Sequence, residues 1–193
     1  MDSVSADSDT AAALCEGSDR RSDNSPLSIL FSVAAVVVTL DQLTKWWAVE
    51  ALDDGRVIDV VWTARFNLVR NDGAAFSLGS GLTPLIAIAA MAVSVALVVA
   101  ARRVRYRSAV AAMGLILGGA VGNIIDRFLR SGDGFLRGRV VDFIDFQWWP
   151  VFNIADIGVV VGGFLLVWLL SESSDSDHDD GVISNARDNE ASQ

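Results

Sequence analysis

Four long stretches without a charged side chain constrain the fold of this chain more than any other feature. They cover residues 24–40, 73–101, 108–125 and 146–171, and only Asp156 interrupts the last of them. A helix needs about 20 predominantly apolar residues to cross a bilayer. The pattern therefore predicts an all-α integral membrane protein whose four transmembrane helices lie at about 27–47, 83–102, 108–126 and 151–170.

The formal net charge of −9 belongs to the two ends of the chain. Residues 1–25 and 171–193 are acidic and polar, and such a composition buries too little apolar surface to offset the entropy of ordering. We expect two disordered cytoplasmic tails on either side of one membrane domain at 26–170. Between the tails, 11 acidic and 12 basic residues nearly balance. This balance does not suggest a nucleic-acid partner, and we expect none.

The positions of histidine and cysteine exclude several kinds of catalytic site. The single histidine, His178, and the single cysteine, Cys15, both lie in the tails. A Ser-His-Asp triad, a Cys-His pair and a zinc site with nitrogen or sulfur ligands are therefore excluded from the membrane domain. We expect no metal and no cofactor. Catalysis would have to use carboxylates, hydroxyls, amides, arginines or the only lysine, Lys45.

Arginines and tryptophans predict the orientation of the spans. Four arginines crowd residues 102–107, between the second and third spans, and positively charged turns favour the cytoplasmic side. Both termini are then cytoplasmic. Five of the six tryptophans fall on the outer side, at the depth that their amphipathic rings prefer. The outer segments 56–70 and 139–146 are rich in β-branched and aromatic residues, which predicts a small extracellular sheet.

Polar side chains gather at the outer ends of three predicted spans. They are Asp41 and Lys45 on the first, Asn123 and Asp126 on the third, and Asn153 and Asp156 on the fourth. A charge at membrane depth costs at least about 2.5 kcal/mol, so it requires a partner or a function. Asp41 and Lys45 have the i, i+4 spacing of an intrahelical ion pair, which favours a structural role for that pair.

Neighbouring carboxyl groups in a low-dielectric site suggest acid–base chemistry. Both cannot ionise readily, so one keeps its proton while the other stays anionic. Such a pair can activate water and stabilise the developing oxyanion when a peptide bond is cut. Intramembrane carboxylates also serve proton-coupled transporters, and four spans fit a structural tetraspan protein. Those two functions are the alternatives, although the chain has no internal repeat for alternating access, and a structural role leaves Asp156 unexplained.

Five ordered motifs resemble those of the bacterial lipoprotein signal peptidases, or type II signal peptidases. They are DQLTK at 41–45, NDGAAF at 71–76, GNIIDR at 122–127, VVDF at 140–143 and FNIAD at 152–156. The resemblance covers about residues 27–170. It implies an intramembrane aspartic endopeptidase that cuts diacylglyceryl-modified prolipoproteins before their lipid-bearing cysteine. It also implies a bacterial cytoplasmic membrane protein with four spans under an extracellular β-cradle and an active site near the outer face.

The same resemblance assigns the catalytic aspartates to Asp142 and Asp156. It assigns substrate-binding or supporting roles to Asp41, Lys45, Asn71, Gly73, Asn123, Asp126, Arg127 and Asn153. We expect a monomer among membrane lipids, with lipid-modified prolipoproteins as its substrates. Two other acids are alternatives to Asp142 as the first catalytic aspartate. Asp126 is adjacent to Arg127, which favours a paired carboxylate, and Asp145 points to the opposite side of a strand from Asp142.

Overall fold

The structure is a computed structural model that describes residues 25–73, 83–131 and 134–190, with side chains as far as Glu172. The described residues form four helices: α1 (Pro26–Leu52), α2 (Thr83–Ala101), α3 (Arg107–Leu129) and α4 (Ile154–Glu190). All four are long and apolar enough to cross a membrane, α4 with its part Ile154–Glu172. The predicted four-span architecture is confirmed.

Helix α4 runs further than the sequence pattern suggests. It continues to Glu190, through most of the segment for which the composition predicts disorder. That segment contains no proline to end a helix. No side chain beyond Glu172 is described, and residues 1–24 lie outside the described part of the chain. The disorder of the two tails stays a prediction.

The buried residues of α1 follow one helical face. They are Leu30, Ala34, Val37, Asp41, Lys45, Ala48 and Leu52. Their spacing of three or four residues forms a stripe that faces the other helices. Ser25 caps the start of the helix, since its hydroxyl accepts the Ser28 N–H at 3.3 Å. Proline occupies the first helical position, where its missing N–H costs nothing. The stripe places a buried acid and a buried lysine within the bundle.

Glycines on α3 allow close packing with its neighbours. Helix α3 packs against all three other helices. A methyl group at Gly118 would lie 2.7 Å from Cβ of Val37 on α1, and one at Gly122 would lie 2.6 Å from a carboxylate oxygen of Asp41. Small residues at such positions let transmembrane helices approach closely. Polar side chains on α1, α3 and α4 therefore come within hydrogen-bond distance.

A three-stranded antiparallel sheet lies at one end of the bundle, as predicted. Its strands are β1 (Val57–Val61), β2 (Ala64–Asn71) and β3 (Val140–Asp145), in the order β1-β2-β3. Trp47 of α1 packs edge-on against Phe66 of β2, with ring centroids 5.2 Å apart. Phe143 of β3 completes this aromatic cluster. The sheet is thereby anchored on the C-terminal end of α1.

Strand β3 also fixes the start of α4. The N–H of Ile144 donates to the Phe152 carbonyl at 2.9 Å, and the Phe152 N–H donates back to the Ile144 carbonyl at 3.1 Å. This bridge folds the short connection back on the strand. As a result, the first residues of α4 lie beside Asp142.

Candidate active site

Asn153 links the two aspartates that the sequence places in the site. Its side-chain amide donates to Oδ1 of Asp142 at 2.6 Å, and its backbone N–H donates to Oδ2 of Asp156 at 3.2 Å. Asn153 is fully buried and Asp142 is 2% exposed. One buried asparagine therefore holds both carboxyl groups at the junction of β3 and α4.

The start of α4 explains how Asp156 is held. The side-chain oxygen of Asn153 accepts the Asp156 N–H at 3.0 Å, while Asp156 accepts the Asn153 N–H in return. This reciprocal pair has the geometry of a capping box. The FNIAD motif thus specifies a helix cap and places an acid within it.

Asp142 is supported from the neighbouring strand by Asn71. The Asn71 amide donates to Oδ2 of Asp142 at 3.0 Å, and its oxygen accepts the Gly73 N–H at 2.8 Å. Gly73 has φ +92, and an added Cβ would lie 2.6 Å from the Thr83 hydroxyl. Only glycine adopts this conformation without strain. The first three residues of the NDGAAF motif therefore form a turn that fixes the Asn71 side chain, and residues 74–76 of the motif lie outside the described part of the chain.

Burial raises the pKa of Asp142 from 3.8 to about 6. Hydrogen bonds from Asn71 and Asn153 oppose this rise, whereas the negative charge of Asp156 adds to it. A carboxyl group with such a pKa retains its proton more readily than an exposed aspartate. The environment of Asp142 therefore suits the acid of a catalytic pair.

Lys45 lies at the centre of a buried ion cluster. Its Nζ is 2.8 Å from Asp41, 2.9 Å from Asp126 and 3.0 Å from the side-chain oxygen of Asn123. Lys45 and Asp41 are fully buried, and Asp126 is nearly so. The intrahelical ion pair predicted for Asp41 and Lys45 is therefore present, and it extends to a second helix.

Arg127 forms no ion pair with Asp126, although the sequence suggested one. Asp126 pairs with Lys45 and with Arg130 at 2.8 Å, and its other oxygen accepts the Val141 N–H at 3.1 Å. The expectation that the adjacent Arg127 pairs with Asp126 was wrong, because consecutive residues on a helix do not face each other. Asp126 is nevertheless in a paired form.

Arg127 is instead a buried cation with spare hydrogen-bonding capacity. Its guanidinium is mostly buried, and its Nη1 has no hydrogen-bond partner among the described residues. The charges of Asp126, Asp142 and Asp156 act on it. A buried N–H group without a partner is costly. This group therefore has the chemistry to receive a carbonyl oxygen of a bound peptide.

Asn123 joins the ion cluster to the aspartates. Its oxygen accepts from Lys45 and, at 3.2 Å, from Asn153, while its amide donates to Oδ1 of Asp156 at 2.9 Å. Asp41 makes a second connection, since it accepts the Ala155 N–H near the start of α4 at 3.0 Å. The ten residues named by the motifs thus converge on one region. Nine of them are linked by hydrogen bonds or ion pairs, and Arg127 interacts with the aspartates only through its charge.

Asp145 lies apart from this network. It accepts hydrogen bonds from Arg65 at 2.8 Å, from Asn67 at 3.2 Å and from the Gln147 N–H at 2.7 Å. Burial alone would raise the pKa of Asp145, but these hydrogen bonds outweigh it and hold the pKa below its usual value. The strand alternation that separates Asp142 from Asp145 is confirmed.

Two residues of the network were missed by sequence reasoning. Gln42 donates to Asp41 at 3.0 Å and to the Gly122 carbonyl at 3.2 Å, and Arg130 neutralises Asp126. The i, i+4 spacing of Asp126 and Arg130 could have indicated the second contact. Within the described ranges, no cluster of three His, Cys, Asp or Glu residues could hold a metal ion.

Comparisons with known proteins agree on one family. A family model described as signal peptidase (SPase) II matches residues 33–171. The lipoprotein signal peptidase of Mycobacterium leprae (strain Br4923) is 46% identical over 144 residues, which cover 74% of this chain and 71% of that protein. The lipoprotein signal peptidase of Mycobacterium avium (strain 104) is 46% identical over 156 residues, covering 79% and 85%. A bacterial membrane enzyme solved by the in meso method at 1.9 Å resolution has a TM-score of 0.63 and 30% identity, with 73% of this chain and 91% of that chain covered.

Proposed function

This chain belongs to the signal peptidase II family, and from that premise we propose that it is an aspartic endopeptidase with Asp142 and Asp156 as its catalytic groups. Its substrates in this proposal are diacylglyceryl-modified prolipoproteins, which it cuts immediately before the lipid-bearing cysteine. The observation that carries the proposal is the buried Asn153, whose side chain binds one carboxyl group and whose backbone binds the other. Membership of a peptidase family favours this function over a transporter or a structural tetraspan protein.

The reaction divides between the two aspartates. Asp156 acts as the base and accepts a proton from water as the water oxygen bonds to the scissile carbonyl carbon. Asp142 keeps its proton and donates it in a hydrogen bond to the developing oxyanion. The tetrahedral intermediate then collapses, the carbon–nitrogen bond breaks, and the leaving nitrogen receives the proton from Asp156. The products are a signal peptide with a new carboxyl group and a lipidated cysteine with a free amine.

The remaining site residues support this chemistry. Asn71, Asn123 and Asn153 orient the two carboxyl groups through their amides. The unpartnered N–H of Arg127 binds a backbone carbonyl of the substrate. The buried ion cluster around Lys45 holds α1 against α3, so its role is structural. No step requires a metal or a cofactor.

Substitution of the two aspartates tests the proposal directly. In the purified full chain, Asp142→Asn or Asp156→Asn should lower kcat for a lipid-modified prolipoprotein by about 10²- to 10⁴-fold, because an amide can serve as neither base nor acid. Asp145→Asn is the matched control on the same strand and should keep most activity. Near-normal cleavage by Asp142→Asn together with a dead Asp126→Asn variant would assign the first role to Asp126 instead.

The cellular placement is also part of the proposal. The chain is a multi-pass membrane protein, and the arginine-rich segment 102–107 supports cytoplasmic termini in a bacterial cytoplasmic membrane, with the site near the outer face and the protein acting as a monomer. A reporter fused after residue 105 should read cytoplasmic, and one inserted near Gly134 should read external. The reverse pair of readings would contradict the orientation.

A further inference from the structure

An arginine-lined cavity of about 590 Å³ lies on the other face of the sheet from the catalytic carboxyl group. Four of its described lining residues are Arg70, Arg130, Arg137 and Arg139. Arg70 is paired with Val141 in the sheet, and consecutive strand residues point to opposite faces. Asp142 therefore points away from this cavity. Its volume is in the range of small-molecule binding sites.

The ion pairs of these arginines leave positive charge available to a ligand. Arg130 is committed to the buried Asp126. Arg70 pairs with Asp53, and Arg139 pairs with Asp72 at 2.7 Å, but all four of those side chains are substantially exposed. Exposed ion pairs contribute little free energy and are readily exchanged for a better partner.

Arg137 has no carboxylate partner among the described residues. Among the described lining residues, Arg70, Arg130 and Arg139 each have one carboxylate partner, and Arg137 is the cation that remains without one. Three guanidinium groups, of Arg70, Arg137 and Arg139, can therefore turn toward a single anion. Guanidinium groups bind phosphate through paired N–H donors, a geometry that suits them better than ammonium groups.

The position of the cavity points to a lipid headgroup, and not a free ion, as the source of a bound phosphate. Its lining includes Val49 near the end of α1, Thr83 at the start of α2 and Leu129 at the end of α3. The ends of spanning helices lie at the level of lipid headgroups. Beside the cavity, Phe128 and Leu129 are 60% and 78% exposed, so an apolar surface adjoins the positive one.

We propose that this cavity binds the phosphate of an anionic phospholipid, whose acyl chains run along Phe128 and Leu129. A free phosphate would use the arginines alone, whereas a phospholipid uses both the charge and the adjoining apolar surface. The proposal does not depend on the peptidase mechanism, because the cavity and the catalytic carboxyl group occupy opposite faces of the sheet.

Native mass spectrometry of the full chain in detergent tests this proposal. Phosphatidylglycerol should be retained more strongly than phosphatidylcholine, whose headgroup carries a compensating positive charge. Arg137→Gln and Arg139→Gln should each weaken phosphatidylglycerol binding about fivefold, and the double variant about 25-fold. Arg56→Gln is the matched control, since Arg56 is an exposed arginine outside the cavity that pairs with Asp54. It should bind like the unaltered chain.

Several results would overturn the proposal. Equal retention of the two lipids would show that headgroup charge is irrelevant, and a double variant that binds like Arg56→Gln would show that the cavity is not the site. Displacement of the lipid by equimolar inorganic phosphate would assign the cavity to free anions. Displacement by a tri-aspartate peptide would assign it to acidic polypeptide. Arg137→Lys, which keeps the charge, should retain more lipid than Arg137→Gln, and this comparison holds even if the double variant folds poorly.

Discussion

Replacing Lys45 by methionine should destabilise this protein more than any exposed charge substitution. Methionine has a similar length and is apolar, so Lys45→Met removes the charge without leaving a large cavity. The change leaves Asp41 and Asp126 buried and facing a thioether in place of a cation. Asn123 loses a donor to its side-chain oxygen at the same time.

The contact distances set the size of the effect. With an effective dielectric constant of about 20, a unit charge pair at 2.8 Å or 2.9 Å has a Coulomb energy of about 6 kcal/mol. Two such attractions are lost, but the methionine side chain avoids the desolvation of an ammonium group, and a stranded carboxyl group can take up a proton. Removing one partner of a buried ion pair costs about 3–5 kcal/mol for these reasons. For a chain of this size, that corresponds to a fall in Tm of about 6–20 °C.

Thermal unfolding of the detergent-solubilised chain measures this loss. Arg56→Met is the control, because Arg56 and Asp54 form a pair in which both side chains are about 60% exposed, and its cost should be about 0–1 kcal/mol. The double variant Lys45→Met with Asp41→Asn should recover part of the stability. It removes one unpaired charge, while the asparagine oxygen can still accept the Ala155 N–H.

Two outcomes would refute this reasoning. If Lys45→Met unfolds at the same temperature as Arg56→Met, the buried cluster contributes nothing to the fold. If the double variant is less stable than Lys45→Met alone, the loss does not come from unpaired carboxylates.

Three further predictions concern the active site, the helix packing and the tails. Because burial raises the pKa of Asp142 from 3.8 to about 6, kcat/KM should fall as the pH rises through about 6. The stability that this raised pKa contributes, about 3 kcal/mol, is fully present below pH 3.8 and is lost as the pH rises from 3.8 to about 6. A kcat/KM profile that is flat from pH 5 to 8, or an unchanged pH dependence of unfolding in Asp142→Asn, would contradict this. Gly122→Ala should destabilise the protein by about 1–3 kcal/mol, because the added Cβ would meet a carboxylate oxygen of α1 at 2.6 Å. Gly163→Ala has open space around the added Cβ and should be tolerated. Equal melting temperatures of the two variants would argue against the close approach of α1 and α3. Deleting 1–22 and 174–193 should leave prolipoprotein cleavage largely intact in detergent, and loss of activity in a well-folded truncation would reveal a functional tail.

Local spacing predicted much of this structure. Charge-free runs identified all four spans, since a bilayer excludes unpaired charge over a fixed length. The i, i+4 rule identified the contact between Asp41 and Lys45, and strand alternation separated Asp142 from Asp145. Each of these inferences rests on a length or a period of the backbone, which the sequence displays directly.

Contacts between elements were not predictable in the same way. Lys45 and Asp126 meet because glycines let α1 and α3 approach, and no spacing rule relates residues on different helices. Arg127 and Asp126 are adjacent in sequence but not on the helix surface, which is why they form no ion pair. The motif resemblance gathered the site residues, but only the fold gives Asn153 its contacts with both aspartates.

The capping box at the start of α4 has a consequence for anyone who wants an inert but intact version of this enzyme. Asp156 is both a proposed reactive group and the residue that closes the first turn of its own helix. Alanine at this position removes the half of the capping box in which the Asp156 carboxylate accepts the Asn153 N–H, at a cost of about 1 kcal/mol, so loss of activity in Asp156→Ala would mix chemical and conformational causes. Asparagine keeps an acceptor oxygen for the Asn153 N–H while it abolishes the base. A substrate-trapping form is therefore better built with Asp156→Asn than with the alanine customary in mutational scans.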